Sequence, residues 1–231
     1  MHARSRPIER ILLRGASRDR RVQQLEERAR RAGVPVERVD DQRIQSLTTG
    51  RTHGGVVAVV GPRRYVPLHD LVPTGATAFV AMLDGVEDPF NFGYAVRSLY
   101  AAGAHGLVLA PRNWMSAAAV VGRASAGASE LLPAAVADSA VDAARVFSDL
   151  GLSVVCTGSD RAAVPIHDVD LTGPVFVVVG GEHRGVSRPL LEHADAIVRI
   201  PYGRDFRQAL ATSSAAVVVA FEVLRQRTKA A

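Results

Sequence analysis

Three short stretches of the chain combine residue types and spacings that chemistry needs. The first runs Leu83-Asp84-Gly85-Val86-Glu87-Asp88-Pro89-Phe90-Asn91-Phe92-Gly93, with Arg97 following. It falls where an apolar run gives way to a helical pattern, and loops beyond the carboxyl ends of parallel strands are where ligands bind. Asn91 has the side chain of a helix cap. Arg97 lies about 120° further round the helical wheel, not stacked on Asn91 but long enough to reach the same loop. The second stretch is Val179-Gly180-Gly181-Glu182-His183-Arg184-Gly185. Its glycines let backbone approach a ligand closely and expose amide donors. It matches neither G-x-G-x-x-G nor a P-loop, since no Gly-Lys-Ser/Thr follows. His183 has no second His or Cys at ligand spacing, which points away from a metal. The third stretch opens Ile200-Pro201-Tyr202-Gly203 and runs through Arg204, Asp205, Phe206, Arg207, Gln208 and Ala209 to Leu210. Taken singly, each reads as an ordinary turn feeding a helix.

The elements that must position these stretches alternate. Strands fit 78–83, 106–110, 152–156, 175–179 and 196–200, and helices fit roughly 92–102, 115–128, 139–150, 187–193 and 211–227. Such alternation predicts an α/β fold, a parallel sheet covered on both faces. Ahead of it, 8–13, 34–39 and 55–60 read as strands and 18–32 as an amphipathic helix ending at Gly33. The expected organisation is a small α/β domain over 1–61, a Pro/Gly-rich linker over 62–76 and a larger domain over 77–231.

Composition narrows the partners. The chain has 231 residues and a formal charge of +5. Residues 1–51 hold 13 arginines and 7 acidic residues, a net of +6, and the remainder nets −1. A basic front on a near-neutral body suits a polyanion, and equally a solvated helix in an Arg-rich chain. No apolar run is long enough to cross a bilayer, and the start of the chain has no apolar core of a secretory signal. Cys156 is the single cysteine, which excludes an intramolecular disulfide and fits a reducing cytoplasm.

In order and spacing, the three stretches resemble the motifs of the SpoU (TrmH) family of SPOUT methyltransferases. The D-P-x-N-x-G-x-x-x-R-S pattern is met by Asp88 to Ser98, G-x-E-x-x-G by Gly180 to Gly185, and the Ile-Pro opening by Ile200-Pro201. Ala126 to Glu130 is similar to the family's G-A-x-E segment. His53-Gly54-Gly55-Val56-Val57-Ala58 resembles the end of a substrate-binding domain found in members that act on ribosomal RNA. The resemblance implies a C-terminal trefoil knot, a homodimer, and methylation of ribose 2′-hydroxyls in rRNA, or tRNA, with S-adenosylmethionine and no metal. It implies catalytic roles for Arg97, Asn91 and Glu182. Cofactor contacts are expected at Thr157, Gly158, Val179, Gly180, Gly181, Gly185, Ile200, Tyr202 and Leu210. In the basic front, Arg14, Arg18, Arg51 and His53 are candidate RNA contacts.

The chain departs from the family in its third motif. Where Ser-Leu-Asn-Val-Ser is usual, it has Ala209-Leu210-Ala211-Thr212-Ser213, with one extra residue before Leu210. Two polar groups are thereby lost beside the implied reaction centre, with Ser213 and Ser214 near enough to substitute. The departure keeps two alternatives open: a methyltransferase with a changed acceptor (a base, a nucleoside or an antibiotic-like molecule), and an RNA-binding homologue without activity.

Overall fold

Among the residues that the computed structural model describes (5–15, 19–48, 53–111, 117–159, 162–182 and 184–230), strand and helix alternate in two compact units, residues 1–64 and 65–231. Arg18, Arg51 and His183 lie outside the described residues.

The first unit is a three-stranded sheet with two helices. Its elements are β1 (Ile8–Arg14), α1 (Arg20–Arg31), β2 (Val36–Val39), α2 (Asp41–Ser46) and β3 (Val56–Val60). β1 is central, parallel to β2 and antiparallel to β3. Asp19 caps α1 by accepting from the Arg21 amide at 2.8 Å, and Arg28, Arg30 and Arg31 crowd its last turn. Both choices complement the helix dipole. Ile11, Leu13 and Ala29 form the small core.

The second unit is built on a seven-stranded, all-parallel sheet. In chain order it holds β4 (Phe79–Asp84), α3 (Pro89–Ala101), β5 (Gly106–Leu109), α4 (Ala118–Ala124), α5 (Ala128–Leu131), β6 (Ala134–Val136), α6 (Ala140–Asp149), β7 (Ser153–Thr157), β8 (Val164–Pro165), β9 (Val175–Gly180), α7 (Arg188–Leu191), β10 (Ala196–Arg199) and α8 (Thr212–Ala230). The strand order is β6-β5-β4-β9-β7-β10-β8. Side chains alternate across the sheet. Phe79, Ala81, Val175, Val177 and Val179 join α3 and α8 in one core, while Val80, Met82, Phe176 and Val178 join α6 and α7 in the other. Burial on both faces is why these strands are unbroken apolar runs.

Several elements differ from the sequence expectations. β6 and β8 are additional strands. The helix expected over 115–128 is two, α4 and α5, because Ala126 and Gly127 take positive φ, 51° and 86°. The stretch read as a linker carries a short 3-10 turn, Leu68–Leu71. Leu71 is buried and packs so closely on Gly106 that a Cβ there would lie 2.7 Å from the Leu71 Cβ.

Gly93, from the first motif, has a packing role of the same kind. A Cβ at this position would meet the Ala124 Cβ at 2.5 Å and the Val121 carbonyl oxygen at 3.1 Å. The missing side chain lets α3 lie directly against α4. Gly93→Ala is expected to destabilise the protein by about 1–3 kcal/mol through overpacking. A lowered chemical-denaturation midpoint with an unchanged slope checks this; an unchanged midpoint would show that α4 simply moves aside.

The far end of α8 is tied to the amino ends of the central strands. The Arg227 guanidinium donates to the carbonyls of Thr77 and Ala78, both at 2.9 Å, and to those of Gly173 and Leu171. Its carbon lies 5.8 Å from the centroid of the Phe79 ring.

Candidate active site at the carboxyl ends of four strands

The strand order brings the three motifs together. β4, β9, β7 and β10 are consecutive neighbours, with Asp84 opposite Gly180 and Thr157 opposite Val198. The loops leaving these strands therefore share one edge of the sheet, although their sequence positions run from 85 to 211.

Local chemistry at the start of α3 differs from the expectation for Asn91. The cap is Asp88, whose carboxylate accepts from the Asn91 amide at 2.7 Å, and Pro89 fills the first helical position. Proline suits that position because its missing N–H is one the helix cannot use. Asn91 sits in the first turn with its side chain released from capping. Its Nδ2 faces Glu182 Oε1 at 3.5 Å, and its Oδ1 accepts from the Ser213 hydroxyl at 3.4 Å. Both are at the long limit of hydrogen bonding.

Glu182 and Thr212 link the other two motifs. Glu182 Oε1 accepts from the Thr212 amide at 3.2 Å, at the start of α8, where unpaired N–H groups favour a carboxylate. The Thr212 hydroxyl donates to the Gly180 carbonyl at 3.2 Å, and the Gly180 amide donates to the Thr157 hydroxyl at 3.0 Å. The Gly158 amide donates to the Val198 carbonyl at 2.9 Å. The Tyr202 hydroxyl closes the third loop, accepting from the Leu210 amide at 3.2 Å and donating to the Gln208 carbonyl at 3.3 Å.

The glycines permit close approach of backbone to backbone. A Cβ on Gly180 would lie 2.5 Å from the Gly185 carbonyl carbon, and one on Gly181 would lie 2.5 Å from the Gly85 oxygen. Gly185 returns the turn, with φ of +59° and its amide 2.9 Å from the Gly181 carbonyl oxygen. Gly158 leaves room for Ile197, whose Cγ2 would be 2.7 Å from a Cβ.

The remaining site candidates are placed as follows. The Val179 side chain is wholly buried, so only its backbone can face a ligand. Ile200 and Leu210 are half-buried, and Tyr202 is exposed at the rim. Arg97 is exposed on α3, about 9 Å along the axis from Asn91. It makes no hydrogen bond or ion pair among the described residues and stands outside the Asn91–Glu182–Thr212 network. In the first unit, Arg14 pairs with Asp41 at 3.1 Å, and His53 Nδ1 accepts from the Gly55 amide at 3.0 Å.

Sequence reading passed over Asp88 and Thr212. An Asp-Pro pair ahead of a helical pattern is a cap signal in its own right. Thr212 stands at the start of α8, and no local pattern marks it, because its partners Glu182 and Gly180 lie about thirty residues earlier.

Burial raises the Asp84 carboxyl above its ordinary range. The Cys156 thiol is pushed up to about 12 by burial, with the Asp84 charge adding to it. The thiol beneath the site is therefore protonated and inert. Among the described residues, no cluster of three or more His, Cys, Asp or Glu side chains is arranged to hold a metal ion, and no helix is long and apolar enough to cross a membrane.

The model of the SpoU rRNA methylase family matches residues 78–221, all three motifs included. The chain belongs to the SpoU methylase family. A second model, RNA 2′-O ribose methyltransferase substrate binding, matches residues 1–66 of this SpoU methylase. It is an S-adenosylmethionine-dependent RNA methyltransferase. A 23S rRNA (guanosine-2′-O-)-methyltransferase of Xylella fastidiosa (strain Temecula1) is 34% identical over 227 residues, covering 96% of this chain and 90% of that protein. A protein of Mycobacterium sp. (strain KMS) named as an uncharacterized tRNA/rRNA methyltransferase is 36% identical over 217 residues, 92% of this chain and 68% of that one. The AdoMet-bound rRNA methyltransferase of Sinorhizobium meliloti superposes with a TM-score of 0.78 at 27% identity, covering 95% of this chain and 80% of that chain.

Proposed function

We propose that this SpoU methylase transfers the methyl group to a ribose 2′-hydroxyl of ribosomal RNA. The observation that carries the reading is the hydrogen-bonded set Asn91, Glu182, Thr212 and Ser213, which joins all three motifs. The name of the Xylella relative supports rRNA as the substrate.

In this reading the adenosyl group meets apolar Ile200 and Leu210 and the backbone of Val179, Gly180 and Gly181, with Thr157, Gly158, Tyr202 and Gly185 as further contacts. When bound, S-adenosylmethionine supplies a methyl group activated by a sulfonium. Arg97 holds a phosphate beside the acceptor ribose and steadies negative charge on the 2′-oxygen as its proton leaves to water. Its guanidinium stays protonated throughout, so it acts as an electrostatic clamp rather than a base. Asn91 and Glu182 fix the floor on which the ribose rests. In this reading the basic first unit grips the RNA, with Arg14, Arg18, Arg51 and His53 among its contacts. The family's trefoil knot and homodimer belong to the same reading, as does a cytoplasmic location.

Ala209 and Ala211 do not empty the site of polar groups. The Ser213 hydroxyl reaches Asn91, and the Thr212 amide and hydroxyl hold Glu182 and Gly180. This favours ribose over a changed acceptor. Incubation with labelled cofactor and total bacterial RNA, followed by digestion to nucleosides, is expected to yield a 2′-O-methylated nucleoside. Label in a base, or no label in RNA, would overturn the assignment.

A further inference from the structure

The third loop is one residue longer than the family pattern, and two aromatic side chains stand exposed in it. Phe206 is 57% exposed and Tyr202 40%, whereas Phe79, Phe147 and Phe176 are buried. The two rings are 6.1 Å apart between centroids and inclined by 47°, within the range of a favourable aromatic pair. Arg204 and Arg207 flank Phe206, and neither side chain has a hydrogen bond or ion pair among the described residues. Asp205, also exposed, leaves the loop with a net charge of +1.

Both ends of this loop are held. Tyr202 bonds to Gln208 and Leu210, and Thr212 bonds to Glu182 and Gly180. An exposed aromatic on an anchored loop, bracketed by cations, matches how proteins receive unpaired RNA: bases stack on rings while phosphates meet guanidinium groups. A partner protein is a poorer match, since Arg204 and Arg207 bracket the ring in sequence and charged residues are depleted at the core of protein interfaces.

We propose that residues 202–207 form a platform for an unstacked RNA base next to the acceptor nucleotide, with the base on Phe206 and its neighbouring phosphates on Arg204 and Arg207. The platform rests on the RNA reading above. It selects substrates with a splayed-out nucleotide at that position, and the Asp205 carboxylate offers an acceptor to a base's amino group.

The test uses the full chain and two end-labelled probes read by fluorescence anisotropy: a single-stranded 12-mer of adenylate and an abasic phosphodiester of equal length. Phe206→Ala is expected to weaken adenylate binding by about five- to a hundredfold and leave the abasic probe unchanged. Phe206→Trp should restore the difference. Arg204→Gln with Arg207→Gln should weaken both probes and reduce the salt slope by about 1.4. Calorimetry with S-adenosylhomocysteine should give the same affinity for every variant. Equal effects of Phe206→Ala on both probes, or none, would overturn the platform. So would a loss that follows weakened cofactor binding, or a changed sedimentation coefficient, which would assign Phe206 to the cofactor or to a second copy. Wild-type protein that labels no RNA would instead overturn the reaction itself.

Discussion

Arg97→Ala is expected to reduce methyl transfer by at least about a hundredfold while cofactor affinity and melting temperature stay at wild-type values. The magnitude is that of removing one donor aimed at developing negative charge. The sparing of stability follows from the setting. Arg97 is exposed, and no described residue pairs with it, so its loss leaves no buried group unsatisfied. Arg97→Lys should fail almost as badly, because it keeps the charge but loses the planar two-pronged contact with phosphate. Single-turnover transfer to RNA and calorimetry with S-adenosylhomocysteine separate the two functions. Near-normal turnover would remove Arg97 from the mechanism, and a lowered melting temperature would make it a structural residue.

Gly181→Ala is expected to act on the other side of the reaction and to weaken S-adenosylhomocysteine binding by tenfold or more. The new methyl group would sit 2.5 Å from the Gly85 oxygen and 2.9 Å from the Gly85 carbon. Both are backbone atoms that no side-chain rotation can clear, so the loops after β4 and β9 must part. Overpacking of this kind costs about 1–3 kcal/mol, which also lowers the melting temperature. Gly122→Ala is the control: nothing lies within 4 Å of its Cβ position, so no loss is expected. Wild-type affinity in Gly181→Ala would show that the close approach of the two loops does not shape the cofactor wall.

Much of the sheet could be read directly from the sequence, for a physical reason. Strands buried on both faces, such as the runs Val175 to Val179 and Phe79 to Leu83, must be apolar at every position. β6 escaped because Ala134, Ala135 and Val136 lack the bulk that marks a strand, and β8 because it has two residues, one of them proline. The break between α4 and α5 turns on Ala126 at positive φ, a conformation alanine seldom takes. The family, and the residues worth naming, followed from motif order. Their wiring did not. The Asn91–Glu182 and Asn91–Ser213 contacts span 91 and 122 residues, and local periodicity carries no information at that range. The departure at Ala209 and Ala211 shows the same limit, since the bonds of Thr212 and Ser213 to Gly180, Glu182 and Asn91 appear only once α8 is set in place.

The pairing of β4 with β9 has a consequence for how the molecule comes into being. In the first unit, the described strands all lie between Ile8 and Val60, so its sheet can close as soon as that stretch is available. The centre of the larger sheet cannot. β4 waits for β9, nearly a hundred residues later, and the Asn91–Ser213 contact waits for the start of α8. Contacts of such separation are slow because chain entropy is lost before any pairing energy is gained. At synthesis rates of about 5–20 residues per second, the basic unit has several seconds or more as a finished module before the catalytic end of the sheet exists. On the proposed reading, the part of a nascent chain that grips RNA is thus complete well before the part that methylates it.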